Sequence, residues 1–421
     1  MNYQSLFIGN DSYLTLSNHR KILPINFDGA ATTPPLRCAF DDIANNLKWY
    51  ASINRGSGQK SDYCTDRFEL ARKDILSFFH LKPNEDHTVI YVKSATEGLN
   101  LLANILIPNK NTPILLTRME HHANLLPWRC ASNQIHYVDV DSLGRIHPEA
   151  IELMFRKYQG QIKYVCVTGA SNVTGYVNDI NKIASICHKY HAKIIVDAAQ
   201  LVAHRPINMA GSCKEESIDF LVFSAHKAYA PFGGGAVIGL TEVLNNSQPF
   251  LKGGSAVDQV FDYGVIYKDV PERFEAGTQN FFGVISMATA LNKLSQIGWN
   301  NIIAHECQIR DYLIQQMKQI PKLTMYGDTT TYDDRLGIIV FNLQDYDHEK
   351  LSNILAEDRG IATRCGKFCA HPYVTRLLGI PNDNCHSEIQ DICGCVRISV
   401  GLYNTLEEAK ILIQYLQKLC H

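Results

Sequence analysis

Apolar residues fall along this chain in two alternating rhythms: short unbroken runs, and longer stretches at helical spacing. Val89-Ile-Tyr-Val92, Ile114-Leu-Leu116, Ile135 to Val140, Tyr164-Val-Cys-Val167, Ile194-Ile-Val196 and Phe220-Leu-Val-Phe223 read as strands. Unbroken runs of this kind suit strands buried on both faces. Between them, Thr96 to Ile107, Pro148 to Tyr158 and Ile180 to Tyr190 carry helical spacing. Ala236-Val-Ile-Gly239 predicts a strand that returns antiparallel. Strands alternating with helices predict an α/β fold whose mostly parallel sheet is covered on both faces, with ligands at the carboxyl ends of the strands.

The flanks differ. Residues 1–24 carry no long period and read as an arm packing with a small C-terminal domain. Ile25-Asn-Phe27 reads as a short strand before a small-residue turn, and Asp41 to Tyr50 as a short helix. Asn54-Arg-Gly-Ser-Gly58 reads as a flexible loop whose glycines let a backbone approach a ligand. Asp62 to Phe79 is helical by spacing, with Phe68, Leu70, Ile75, Phe78 and Phe79 as its apolar set. From Val284 the rhythm changes to helices at Val284–Gln296 and Ile302–Ile320, a strand at Gly337–Asn342, a helix at Asp347–Glu357, a strand at Val396–Ser399 and a last helix at Leu406–Leu419. We therefore expect an arm over 1–24, a large α/β domain over 25–290 and a small α+β domain over 291–421.

Composition narrows the class. A hydrophobic share of 46% over 421 residues supplies a sizeable core, and a formal net charge of −2 gives no support to a nucleic-acid or acidic-membrane partner. No apolar stretch reaches the ~18 residues of a membrane span. No basic segment followed by an apolar run opens the chain, so the expectation is a cytoplasmic protein. Thirteen scattered cysteines fit reduced thiols rather than a disulfide framework. Cys365, Cys369, Cys385, Cys393 and Cys395 lack the spacing of a structural zinc site, so no metal is expected.

The chemistry stands just beyond the strand ends. Lys227 follows the run at Phe220; a lysine at the end of a buried strand can hold a lowered pKa and act as a nucleophile toward an aldehyde. Pyridoxal 5′-phosphate (PLP) is the cofactor bound through such a Schiff-base lysine. Lys93-Ser-Ala-Thr-Glu-Gly98 opens a helix after Val92, and free amides with the helix dipole make that turn a phosphate site. The histidines of Glu120-His-His-Ala-Asn124 can stack on a planar ring, Asn172 can hydrogen-bond a ring oxygen or a carboxylate, and Asp197 can pair with a protonated pyridine nitrogen. Each has an ordinary account taken alone: a helix cap, a surface histidine, an Asn-Gly turn, a surface lysine. Together, at successive strand ends, they supply what PLP needs.

Asp197-Ala-Ala-Gln200, Ser224-Ala-His-Lys227, Glu120–Asn124, Ser171-Asn172 and Arg273-Phe-Glu-Ala-Gly-Thr278 together resemble the class V, fold type I PLP enzymes. The nearest group is the cysteine desulfurase and selenocysteine lyase family, and the likeness runs from about Phe27 to Leu419. The resemblance implies a PLP-dependent transferase fold and a role for each matching residue. Lys227 would carry the cofactor, Asp197 would meet the pyridine nitrogen, Gln200 the ring oxygen, and His121 would stack on the ring. Ala95, Thr96, Ser224 and His226 would hold the phosphate, and Thr278 would reach the phosphate of a neighbouring subunit in a homodimer. Asn172, Arg364 and Arg397 would bind the substrate, a carboxylate suiting the fork of Arg397.

In desulfurases a loop cysteine takes the sulfur of substrate cysteine and becomes a persulfide for an acceptor protein. Cys369 falls at the matching place, five residues after Arg364, with Lys367, Arg364 and His371 as basic neighbours that favour a thiolate. The loop departs from the family's short form. Lys367 and Phe368 stand where histidines usually precede the cysteine, and Cys365 adds a second thiol. The expected activity is conversion of L-cysteine to L-alanine and a Cys369 persulfide. A PLP-dependent C–S lyase, a selenocysteine lyase and a non-catalytic PLP-fold scaffold stand as alternatives.

Overall fold

A computed structural model describes residues 2–53, 56–83, 85–231, 233–380 and 393–420. Asn54 and Arg55 of the glycine loop, and Cys385, lie outside the described residues. The alternating pattern folds into one seven-stranded sheet. Its strands are β1 (His87–Val92), β2 (Ile114–Thr117), β3 (Ile135–Val138), β4 (Tyr164–Thr168), β5 (Lys193–Asp197), β6 (Phe220–Ser224) and β7 (Gly235–Leu240). They lie in the order β1-β7-β6-β5-β4-β2-β3. β7 runs antiparallel to both neighbours, and the remaining pairings are parallel. β2 and β6 are buried at every position, which is why they read as continuous apolar runs.

The helix α1 (Ala95–Leu106) shows how closely helices sit on this sheet. Ser94 caps it, accepting a hydrogen bond from the Glu97 amide at 3.4 Å. At Gly98 an added Cβ would stand 2.6 Å from Val222 Cγ1 on β6 and 2.7 Å from Val237 Cγ2 on β7. Only a residue without a side chain allows that approach, and it brings the N-terminus of α1 down beside the end of β6.

A second core forms around a four-stranded antiparallel sheet of β8 (Leu323–Tyr326), β9 (Ile338–Leu343), β10 (Arg364–Gly366) and β11 (Cys395–Ser399), in the order β8-β9-β11-β10. The long helices α2 (Phe281–Ile297) and α3 (Trp299–Met317) join the two cores. Leu291 and Leu294 pack into the first, Ile309 and Leu313 into the second. Gly298, at φ 85°, separates the helices. Ile25–Asn26, read above as the start of the large domain, pairs in parallel with Ile361–Ala362, and Ile25 and Phe27 are buried in the second core. In the arm, Gln4 hydrogen-bonds Glu408 at 2.9 Å, while Phe7 packs in the first core against Tyr229 and Tyr403.

One element has no counterpart in the apolar pattern. Val257–Phe261 and Gly264–Tyr267 form an antiparallel hairpin that leaves Val260, Phe261, Tyr263 and Ile266 exposed. No helix among the described residues is long and apolar enough to cross a membrane.

Candidate active site

At the carboxyl ends of the strands lies a cavity of about 220 Å³, lined among others by Ala95, Thr96, His121, Asn172, Asp197 and Lys227. Gln200, Ser224 and His226 also line it, so nine of the expected positions meet in one place. A larger space of about 570 Å³ adjoins it, sharing Thr96 and His121 and reaching Cys369. Thr278 does not join them within the chain. It lines a separate cavity with Ser52, Gly254 and Lys268.

Lys227 closes the one-turn 3₁₀ helix Ala225–Lys227 that follows β6. That turn is fastened from outside. The His226 carbonyl accepts the Thr33 amide at 3.1 Å and the Thr33 hydroxyl at 3.0 Å, and the Tyr229 hydroxyl accepts the Leu402 amide at 3.0 Å. Burial pulls the Lys227 amine down to about 8; Asp197 opposes the shift, while Arg397 adds to it. Lys227 makes no hydrogen bond or ion pair with any other described residue, which leaves its amine available. Asp197 ends β5, and its Oδ1 accepts the Ala199 amide at 3.0 Å. Burial raises its carboxyl pKa, while that amide and the Lys227 charge lower it.

His121 presents a neutral ring. Its Nδ1 accepts the Ala123 amide at 3.0 Å, which leaves the ring proton on Nε2. Burial, then the charge of Lys227, pushes its pKa down to about 3. Beneath it Glu120 is fully buried. It accepts hydrogen bonds from Thr117 Oγ1 at 2.6 Å, the Thr168 amide at 3.0 Å and Asn124 Nδ2 at 2.6 Å. Burial outweighs these donors and lifts its carboxyl to about 8. The sequence showed Glu120 only as a motif letter. Its partners on β2, β4 and the following turn reveal it as the peg that seats His121.

The phosphate end is built at the start of α1. The Ala95 amide donates to Ser224 Oγ at 2.7 Å, tying the helix to the end of β6. The Ala95 and Glu97 amides are taken by the Ser224 and Ser94 hydroxyls, which leaves the Thr96 amide at the helix N-terminus, beside Ser224, as the donor suited to a phosphate. Gln200 Nε2 donates to the Ala30 carbonyl at 2.7 Å, which turns the side chain toward the wall formed by residues 30–33. An amine freed by burial, a carboxylate at a strand end, a neutral imidazole and a helix N-terminus are the donor set that PLP requires, so these residues fit the cofactor.

The residues expected to bind substrate are more tightly knit. Arg397 is 3% exposed; its Nη1 donates to the Asn172 carbonyl at 2.9 Å and its Nη2 to Asp28 Oδ1 at 3.1 Å. Asp28 Oδ2 pairs with Arg364 Nη2 at 3.0 Å. Asn172 Nδ2 donates to the Phe368 carbonyl at 2.7 Å, so this side chain faces the Cys369 loop. Cys369 is exposed and follows Phe368 in the left-handed region, at φ 53° and 52°. The His122 amide donates to the Cys369 carbonyl at 2.7 Å, and the rings of His122 and His371 meet edge to face at 4.6 Å. Asp28 is a site residue the sequence reading did not single out. The strand before it was visible, but nothing in the pattern told that Arg397 and Arg364 would flank it.

The Arg273–Thr278 motif is anchored from below. Glu275 accepts from Arg72 Nη1 and Nη2, both at 3.1 Å, and from the Tyr91 amide at 3.0 Å. All twelve described cysteines are free, and no group of three or more described His, Cys, Asp or Glu side chains is placed to hold a metal ion.

Comparison with known proteins agrees with this architecture. The family model for aminotransferase class-V matches residues 25–412. A cysteine desulfurase of Shigella sonnei is 33% identical over 380 residues, covering 88% of this chain and 86% of that protein. The apo structure of a cysteine desulfurase from Thermococcus onnurineus superposes with a TM-score of 0.84 at 28% identity, covering 94% of each chain. The Escherichia coli cysteine desulfurase CsdA, in its S-sulfonic acid form, has the same fold, with a TM-score of 0.81 at 24% identity over 99% of this chain and 97% of that one.

Proposed function

Because the chain belongs to the aminotransferase class-V family, we propose that it is a PLP-dependent cysteine desulfurase, which converts L-cysteine to L-alanine and passes the sulfur to Cys369. The fold is that of the fold type I enzymes, a large mostly parallel sheet with its site at the strand ends. The observation that carries the reading is the meeting of Lys227, Asp197, His121 and Gln200 in one cavity, with an exposed cysteine at the rim of the adjoining space.

PLP, when bound, supplies an electron sink that acidifies the substrate's α carbon. Lys227 holds the cofactor through its amine and, once released, carries a proton from the α carbon on Nζ. Asp197 keeps the pyridine nitrogen protonated. His121 covers the ring face and excludes water, and Gln200 meets the ring oxygen. Ala95, Thr96, Ser224 and His226 bind the phosphate. Asn172, Arg364 and Arg397 bind the substrate carboxylate. Cys369 Sγ, as a thiolate, forms an S–S bond as the substrate's Cβ–S bond breaks. The electron pair stays with the carbon fragment, which takes up protons and leaves as alanine. A thiol of an acceptor protein then attacks the outer sulfur and returns Cys369 to a thiolate.

A homodimer belongs to the same reading. Thr278 sits away from the Lys227 cavity of its own chain, and the apolar hairpin at 257–267 is exposed; both accord with a second copy supplying Thr278 to the phosphate. A cytoplasmic setting keeps Cys369 reduced.

The test is PLP-loaded protein given L-cysteine, with alanine and pyruvate quantified and the intact mass of Cys369 followed. Alanine together with a sulfur adduct, both lost in Cys369→Ala, supports the reading. Pyruvate formed equally well by Cys369→Ala overturns it in favour of a C–S lyase.

A further inference from the structure

Arg397 is a buried guanidinium with three fixed sides. Its Nη1 donates to the Asn172 carbonyl, its Nη2 donates to Asp28, and its Cζ stands 5.0 Å from the centre of the Phe368 ring. Its Nε is buried and has no partner among the described residues. A buried unpaired N–H is costly, and in a native fold such a group calls for an explanation.

Asp28 is itself held rigidly. Ser399, two residues beyond Arg397 on β11, donates its amide to the Phe27 carbonyl at 2.7 Å, and its hydroxyl accepts the Ala30 amide at 2.9 Å. The Asp28 amide donates to Asn26 Oδ1 at 2.9 Å. The backbone on both sides of Asp28 is thus pinned to the strand that carries Arg397. Its Oδ1 accepts from Arg397 Nη2 at 3.1 Å and from Arg364 Nε at 3.4 Å, and its Oδ2 pairs with Arg364 Nη2 at 3.0 Å. Two guanidiniums share one carboxylate, which leaves room for one more negative charge.

We propose that Asp28 is the positioning residue of the substrate carboxylate site: by holding Nη2, it fixes the plane of the Arg397 guanidinium, between the Asn172 carbonyl and the Phe368 ring, in the orientation from which it meets the α-carboxylate. This rests on the reading of Arg397 as the carboxylate-binding residue, and it names a specificity determinant for α-amino acids over amines of the same skeleton. Orientation and charge make opposite predictions here. Removing Asp28 raises the positive charge around Arg397, and charge alone would then tighten carboxylate binding. Loss of orientation weakens it.

The experiment compares L-cysteine with cysteamine, the same aminothiol without a carboxylate. Binding is followed by the cofactor's absorbance change in PLP-loaded Cys369→Ala protein, with and without Asp28→Ala or Asp28→Asn. KM and kcat for L-cysteine are measured in the Cys369-containing counterparts. With Asp28→Ala, the Kd and KM for L-cysteine rise about tenfold or more, the Kd for cysteamine stays within about twofold, and kcat changes less than KM. Asp28→Asn keeps an acceptor oxygen at the same reach and gives a smaller rise, and it carries the test if the alanine variant does not fold. Unchanged or tighter L-cysteine binding in either folded variant overturns the proposal, as does an equal loss for cysteamine. If L-cysteine binds to protein that contains Cys369 but yields no alanine, the desulfurase reading fails, while the role of Asp28 is still decided by the binding constants.

Discussion

Asn172 holds Phe368. Its side-chain amide donates to the Phe368 carbonyl at 2.7 Å while its own backbone carbonyl accepts from Arg397 at 2.9 Å. One residue on the wall of the Lys227 cavity therefore grips both the loop that carries Cys369 and the guanidinium of Arg397. Phe368 and Cys369 both occupy the left-handed region, which side chains other than glycine adopt at a cost. The carbonyls of the strained pair itself are captured, that of Phe368 by Asn172 and that of Cys369 by the His122 amide.

Asn172→Ala removes the first of these captures. It leaves the Phe368 carbonyl unpaired in a buried setting, a cost of about 1–3 kcal/mol. Hydrogen exchange across 366–371 is expected to accelerate, and sulfur transfer to Cys369 to slow by at least about tenfold. Exchange at the unmutated rate would show that the loop is held by the His122 contact alone.

Lys227 makes capture of the cofactor depend on pH. Its amine is lowered from 10.5 to about 8, mainly by burial, so the neutral, nucleophilic form prevails above about pH 8. In cofactor-free protein, the rate of PLP capture is expected to rise about tenfold per pH unit below that value and to level off above it. The same shift has a stability sign. Between about pH 8 and 10 the unfolded chain binds the proton that the folded chain has released, so Lys227 makes stability rise with pH across that window. A capture rate still climbing tenfold per unit through pH 9.5 would count against the lowered value.

Glu120→Gln tests the peg beneath His121. The Thr168 amide and the Asn124 amide each donate to one of the two Glu120 oxygens. The Asn124 orientation is fixed because its Oδ1 accepts from Trp128 Nε1 at 2.9 Å. A glutamine NH₂ meets a donor whichever way it is turned. We expect a loss of about 1–3 kcal/mol in denaturant unfolding, although the swap conserves shape. Above about pH 8 the Glu120 carboxylate accepts from both amides and from Thr117 Oγ1, so stability equal to the parent there would argue against this network.

Gly98→Ala drives a methyl group into Val222 and Val237, at 2.6 and 2.7 Å. Overpacking of this sort costs about 1–3 kcal/mol. It also lifts the N-terminus of α1 away from Ser224. PLP affinity is therefore expected to fall together with stability. A thermal shift with no change in cofactor affinity would separate the helix from the phosphate site.

Much of this fold is legible from the chain because its strands are buried on both faces. β1, β2, β4, β5 and β6 each coincide with an uninterrupted apolar run. The residues just past them, His121, Asn172, Asp197 and Lys227, meet in one cavity for the same topological reason. What stayed hidden depends on pairing across long separations. β10 is only Arg364-Cys-Gly366, with no apolar residue to mark it besides the cysteine, and it exists because β11 lies beside it. The exposed hairpin at 257–267 alternates nothing inward against polar outward, so its apolar residues carry no strand signal of their own. Asp28 resembles any turn aspartate until Arg364 and Arg397 arrive, and the left-handed pair at Phe368 and Cys369 has no compositional mark at all.

The pairing of Ile25–Asn26 with Ile361–Ala362 also sets an order of events during synthesis. A ribosome releases the chain from its N-terminus at about 5–20 residues per second, and the units that come out first can fold first. The seven strands of the main sheet are complete once Leu240 has emerged, but the turn that carries Lys227 waits for Leu402, whose amide the Tyr229 hydroxyl accepts. Asp28 leaves the ribosome among the earliest residues, yet it finds Arg364 and Arg397 only when translation is nearly finished. The Asp28 pairings with Arg364 and Arg397, like the fastening of the Lys227 turn, therefore form only when the chain is nearly complete, and a prematurely terminated chain lacks both.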